Sequence, residues 1–69
     1  MDDQSDPDLA GVDFEAAADL FKDIFPDATL EEIHAYAERG AVQAEQLGHR
    51  REAAVLARTA SVLRRRLIN

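Results

Sequence analysis

The stretch TLEEIHAYAERGAVQAEQLGH, residues 29–49, decides the fold, because it holds a helix together with its start and stop signals. Thr29 and Glu32 form a capping box: the threonine hydroxyl can accept from the Glu32 amide while the Glu32 carboxylate accepts from the amide of Thr29. A helix therefore starts at Leu30. Leu30, Ile33, Ala37, Gly40, Ala44 and Leu47 then recur at alternating steps of three and four, which keeps them on one side of a helix. Gly48 can take the left-handed conformation that closes a helix C-terminus, so the element is expected over residues 30–47. Gly40 costs about 1 kcal/mol in a helix interior relative to alanine and could instead split the element into 30–39 and 41–47. The apolar spacing keeps its phase across Gly40, which favours one continuous helix.

Working outward, a turn at Gly48 and His49 precedes a second run in which Ala53, Leu56, Ala60, Leu63 and Leu67 keep the same spacing. This predicts a helix over about 50–68, with Arg51, Arg58 and Arg65 on the opposite face. So short a connection makes the two helices run back antiparallel, as an αα-hairpin. Its seam is mostly small, Ala37, Gly40 and Ala44 facing Ala53 and Ala60, so the axes can approach closely. On the other side of residue 29, Phe14, Ala17, Ala18, Phe21, Ile24 and Phe25 recur at helical spacing. Asp13 is a natural N-cap for them, and Pro26 stops the helix because the residue before a proline is pushed out of the helical region. The expected architecture is all-α: a short N-terminal helix (about 13–25) packed on a long antiparallel αα-hairpin. Residues 1–12, rich in Asp with no apolar period, are expected to be a disordered acidic tail before a single helical domain of residues 13–69.

Size and composition narrow the function classes. A core drawn from 69 residues rarely supplies more than about 3–5 kcal/mol without a staple. With no cysteine there is no disulfide, and two histidines without a Cys-x-x-Cys spacing make a structural zinc site implausible. Self-association is the remaining route to extra stability. No apolar run approaches a membrane span, and Met1-Asp2-Asp3-Gln4-Ser5-Asp6 is unlike a secretory signal, so the chain reads as cytoplasmic. One lysine, Lys22, beside seven arginines and abundant alanine leans towards a bacterial or phage source.

Charge is strongly polarised. Residues 1–33 hold eleven acids against Lys22, net −10, and residues 34–69 hold seven arginines against Glu38, Glu45 and Glu52, net +4, which together give the total of −6. Such halves attract each other, within one chain or between chains, at surface strength.

Each constellation has a plain structural alternative. Glu31, His34 and Glu38 share a helical face with a Glu-x-x-His spacing, as in di-iron carboxylate bundles. Such sites also draw carboxylates from facing helices, and the third helix offers only Glu52, so a solvated acidic face is the better reading. His49 reads as a polar turn residue. Neither histidine has a serine or cysteine partner pattern, and no Gly-rich phosphate loop is present. No catalytic residue, cofactor or metal ligand is assigned, and an enzymatic or metal role would need a site assembled between protomers. Arg51, Arg58, Arg64, Arg65 and Arg66, with Arg50 nearby, could neutralise phosphates. The acidic half would repel a polyanion, which makes nucleic acid the lesser alternative.

Two partial family likenesses are visible. The segment from His34 to Leu67 resembles one tetratricopeptide repeat, on Leu47-Gly48 at the turn and Glu52-Ala53, Ala57 and Ala60 at the small positions of the second helix. The likeness implies a helix pair of the kind that stacks in arrays of about three or more units. Ala37 stands where that repeat usually has a large aromatic. Ile24-Phe25-Pro26, with Ile33, Ala44 and Leu47, is similar to the Met-Phe-Pro and di-leucine pattern of CUE domains, which implies ubiquitin binding; here methionine is isoleucine and the second leucine is Gly48. Neither likeness transfers a residue role. The expected function is a non-enzymatic protein-interaction module, a homo-oligomeric regulatory or adaptor subunit whose partner interface is Phe21, Phe25, Val55, Val62 and Ile68.

Overall fold

A computed structural model describes residues 9–68 as three helices, α1 (Phe14–Ile24), α2 (Leu30–Gln46) and α3 (Arg50–Ile68), with no strand among them. The chain is all-α, and the dominant packing is α2 against α3. Helix ends lie where the side-chain chemistry puts them. The Asp13 carboxylate accepts from the amide of Ala16 at 3.0 Å, and α1 stops at Ile24 ahead of Phe25 and Pro26. At the start of α2 both halves of the capping box are made: the Thr29 hydroxyl accepts from the Glu32 amide at 3.2 Å, and the Glu32 carboxylate accepts from the Thr29 amide at 2.8 Å. Thr29→Ala is expected to cost about 1 kcal/mol, read as a lower urea midpoint by helical circular dichroism with an unchanged slope.

Between α2 and α3 the backbone closes a Schellman motif. Gly48 lies at φ +82°, its amide donates to the Glu45 carbonyl at 3.0 Å, and the His49 amide donates to the Ala44 carbonyl at 2.8 Å. The geometry corrects one expectation: Leu47 is the capping residue rather than the last seam position. The chain turns away there, and Leu47 is left 66 % exposed. Leu67, also expected in the seam, is exposed in the last turn of α3, beside an α2 that is only beginning.

α2 is continuous through Gly40. A Cβ at that position would lie 3.3 Å from Cδ1 of Leu56, so the glycine marks a close approach of the two helices. Leu56 is half-buried and its end can shift. Gly40→Ala therefore gains helix propensity of about 1 kcal/mol and gives part of it back in contact, a net stabilisation of about 0.5 kcal/mol. A lower urea midpoint in this variant would mean that Leu56 cannot give.

The core consists of Ile33 and Ala37 from α2, Ala60, Val62 and Leu63 from α3, and Ala18 from α1, with Phe14, Phe21, Phe25, Ala28 and Leu30 packed half-buried against it. Ala44 and Ala53 are buried nearer the turn. Thr59 is fully buried, and its hydroxyl donates to the Val55 carbonyl at 2.7 Å, so no polar group is stranded there. α1 covers the flank of the seam that Thr59, Val62 and Arg66 share by helical spacing. This overturns the expected role of Val62, which is 5 % exposed within the single chain and belongs to its core. Ile24, expected inward, is exposed, because Phe21 and Phe25 occupy the contact side of α1.

Residues 9–12, assigned to the tail from sequence, form a turn in which the Val12 amide donates to the Leu9 carbonyl at 3.1 Å. Gly11, at φ +85°, supplies the third position. The rest of the expected tail, residues 1–8, lies outside the described residues.

Candidate interaction surface

The acidic and basic halves meet within the chain. Arg66 forks between α1 carboxylates, its Nη2 to Glu15 Oε1 at 2.9 Å and its Nη1 to Asp19 Oδ1 at 2.9 Å, while Arg65 Nη2 reaches Glu15 Oε2 at 3.3 Å. The Arg66 guanidinium is held charged beyond its ordinary range, first by the hydrogen bond to Glu15 and then by that to Asp19. These are exposed pairs, individually weak and weakened further by salt. They join α1 to the C-terminal part of α3, on the flank where Phe14, Phe21 and Phe25 pack against the core.

The five arginines considered for phosphate contact therefore separate. Arg65 and Arg66 are engaged by α1, and Arg51, Arg58 and Arg64 remain exposed along α3. The expected partner interface separates as well. Phe21 and Phe25 face the core with their rings 6.5 Å apart, and Val55 is half-buried beside a shallow depression shared with Arg51, Glu52 and Leu56. Val62 is internal, and Ile68, 74 % exposed, lies at the end of α3.

The exposed large apolar side chains are instead Leu20 and Ile24 on α1 and Tyr36 and Val42 on α2, besides those at the hairpin ends. Tyr36 lies against Phe25, ring centroids 4.9 Å apart. The signal for Leu20 and Ile24 was their spacing of four, offset from the phenylalanine stripe. For Val42 it was a position two residues from both Gly40 and Ala44, which turns it away from the seam.

Across the seam from α1, the second flank of the α2–α3 pair is covered by no other helix among the described residues. It is a groove of about 640 Å³ floored by Ala41, Ala54 and Ala57 beside Val42, with His34, Glu38 and Glu45 along the α2 wall and Arg50, Ser61 and Arg64 along the α3 wall. His34 is mostly buried on this wall, its Nε2 3.5 Å from the Glu38 carboxylate, and His49 at the turn pairs with Glu52 at 3.0 Å. Among the described residues, no group of three or more His, Cys, Asp or Glu is placed to hold a metal ion, so Glu31, His34 and Glu38 do not converge within one chain. No helix among them is long and apolar enough to cross a membrane.

No family model matches the chain, and no curated protein or solved structure is significantly similar to it, so the tetratricopeptide and CUE likenesses gain no support.

Proposed function

We propose that this chain is a small helical protein–protein interaction module that acts by self-association, as a regulatory or adaptor subunit rather than as an enzyme. One observation carries the reading: α1 shelters one flank of the α2–α3 seam, and the other flank presents Ala41, Val42, Ala54 and Ala57 in an open groove. A two-helix layer with one uncovered flank is the common starting point of a larger helical assembly. The scarcity of large buried side chains, Leu63 and Thr59 being the largest that are fully enclosed, gives the chain a reason to cover more surface. The preference for arginine over lysine, with abundant alanine, supports a bacterial or phage source.

Sedimentation equilibrium at micromolar concentration is expected to show a dimer or a small closed oligomer. A compact monomer with high thermal stability would overturn the reading. Phosphate binding draws less support, because α1 already occupies Arg65 and Arg66. Random duplex at low salt tests it, since neutralising several phosphates produces a steep salt slope.

A further inference from the structure

The open flank carries two lines of charge. Glu31, Glu38 and Glu45 stand seven apart on α2, and Arg50, Ala57 and Arg64 stand seven apart on α3, so each set keeps to one line along its helix. Their levels follow from the seam. Gly40 lies beside Leu56, and counting away from that pair in opposite directions brings Glu45 level with Arg51 and Glu31 level with Arg65. Glu45 is thus within one residue, about 1.5 Å of rise, of Arg50, and Glu31 is equally close in level to Arg64. Within the chain Glu38 and Glu45 stand on one wall of the groove and Arg50 and Arg64 on the other, with Glu31 further along the α2 line, and neither Glu45 nor Arg64 has an ion-pair partner among the described residues.

A face of this kind is complementary to itself in one orientation only. With a two-fold axis along the helices, the acidic α2 line of one copy lies over the basic α3 line of the other, Glu31 against Arg64 twice over. With the axis turned across the helices, acids face acids and arginines face arginines, and like charges in apposition disfavour that arrangement. We propose that a second copy of this chain docks on the open flank with its two-fold axis parallel to α2 and α3. α2 of each copy then covers α3 of the other, and Ala41, Val42, Ala54 and Ala57 are enclosed in a four-helix layer. This rests on the self-association reading and adds which face and which orientation it uses.

The chain has no cysteine, so single thiols report cleanly. Full-length Ala41→Cys and Ala57→Cys chains are mixed and treated with a short thiol-to-thiol cross-linker, alongside sedimentation of the unsubstituted chain. The expected result is a mixed 41–57 product well above either like-with-like product. Dominant like-with-like products would overturn the orientation. An unsubstituted dimer whose thiols give no cross-link would overturn the face while leaving self-association standing, and an unsubstituted monomer would remove both. As a second measurement, Arg64→Glu is expected to weaken the dimer about tenfold and Glu31→Arg added to it to restore affinity within about threefold, because each substitution appears twice in a symmetric pair. An Arg64→Glu chain that keeps its fold by circular dichroism and dimerises as before would overturn the charge pairing.

Discussion

Leu63→Ala is expected to lower stability by about 2–5 kcal/mol, the usual range for truncating an enclosed leucine. Leu63 is fully buried and is the largest side chain so enclosed, in a cluster with Ile33, Ala37 and Ala60 that joins both hairpin helices to Ala18 of α1. A core of this size holds about 3–5 kcal/mol in all, so the variant is expected to lose its folded baseline in urea near room temperature. Leu67→Ala, one turn further along and exposed, is the matched control and should cost less than about 1 kcal/mol. Equal effects at the two positions would put the core somewhere else. Because an oligomer is stabilised by mass action, both variants are to be compared at one protein concentration.

The second large effect is the reverse operation. Ala37→Leu adds three heavy atoms at a fully buried seam position between Ile33 and the α3 residues Ala60 and Leu63, and overpacking of this kind typically costs about 1–3 kcal/mol. Ala44→Leu, at a seam position nearer the turn and outside the main cluster, should fall at the lower end of that range. Arg58→Ala, on the exposed side of α3, should change stability by no more than about 0.5 kcal/mol. Urea denaturation followed by helical circular dichroism ranks the three. A tolerated Ala37→Leu beside a damaging Arg58→Ala would reverse the helix faces.

The hairpin was legible because its signals are local. Asp13, the Thr29–Glu32 box and Gly48 act through hydrogen bonds within a few residues, and each is made as the sequence implies. The seam was legible wherever the two helices run side by side, as at Ile33, Ala37, Ala44, Ala53 and Ala60. It failed at Leu47 and Leu67, where spacing alone takes no account of a helix ending. The flanks were the harder part. Which of Val62, Ile24 and Val42 meets water depends on the side of the seam that α1 takes, and the contacts made there, the α1 phenylalanines with the core and Glu15 with Arg65 and Arg66, join residues far apart in sequence. Charge polarity left open whether such pairs form within one chain or between chains, and named no flank. For the same reason the proposed interface lies in the α2–α3 groove rather than at Phe21, Phe25, Val55, Val62 and Ile68.

The way α1 is fastened has a consequence for how the molecule opens. Its only fully enclosed side chain is Ala18, its phenylalanines are half-buried, and its polar anchors are surface ion pairs at one edge. The hairpin, by contrast, holds its own seam and its own closed turn. Native-state hydrogen exchange should therefore resolve two tiers: amides of α1 exchanging through a partial opening that leaves α2 and α3 paired, and amides around Ala37 and Leu63 exchanging only on global unfolding. Added salt should quicken the first tier more than the second, so the ionic strength of the surroundings sets how often the protein exists as a bare hairpin.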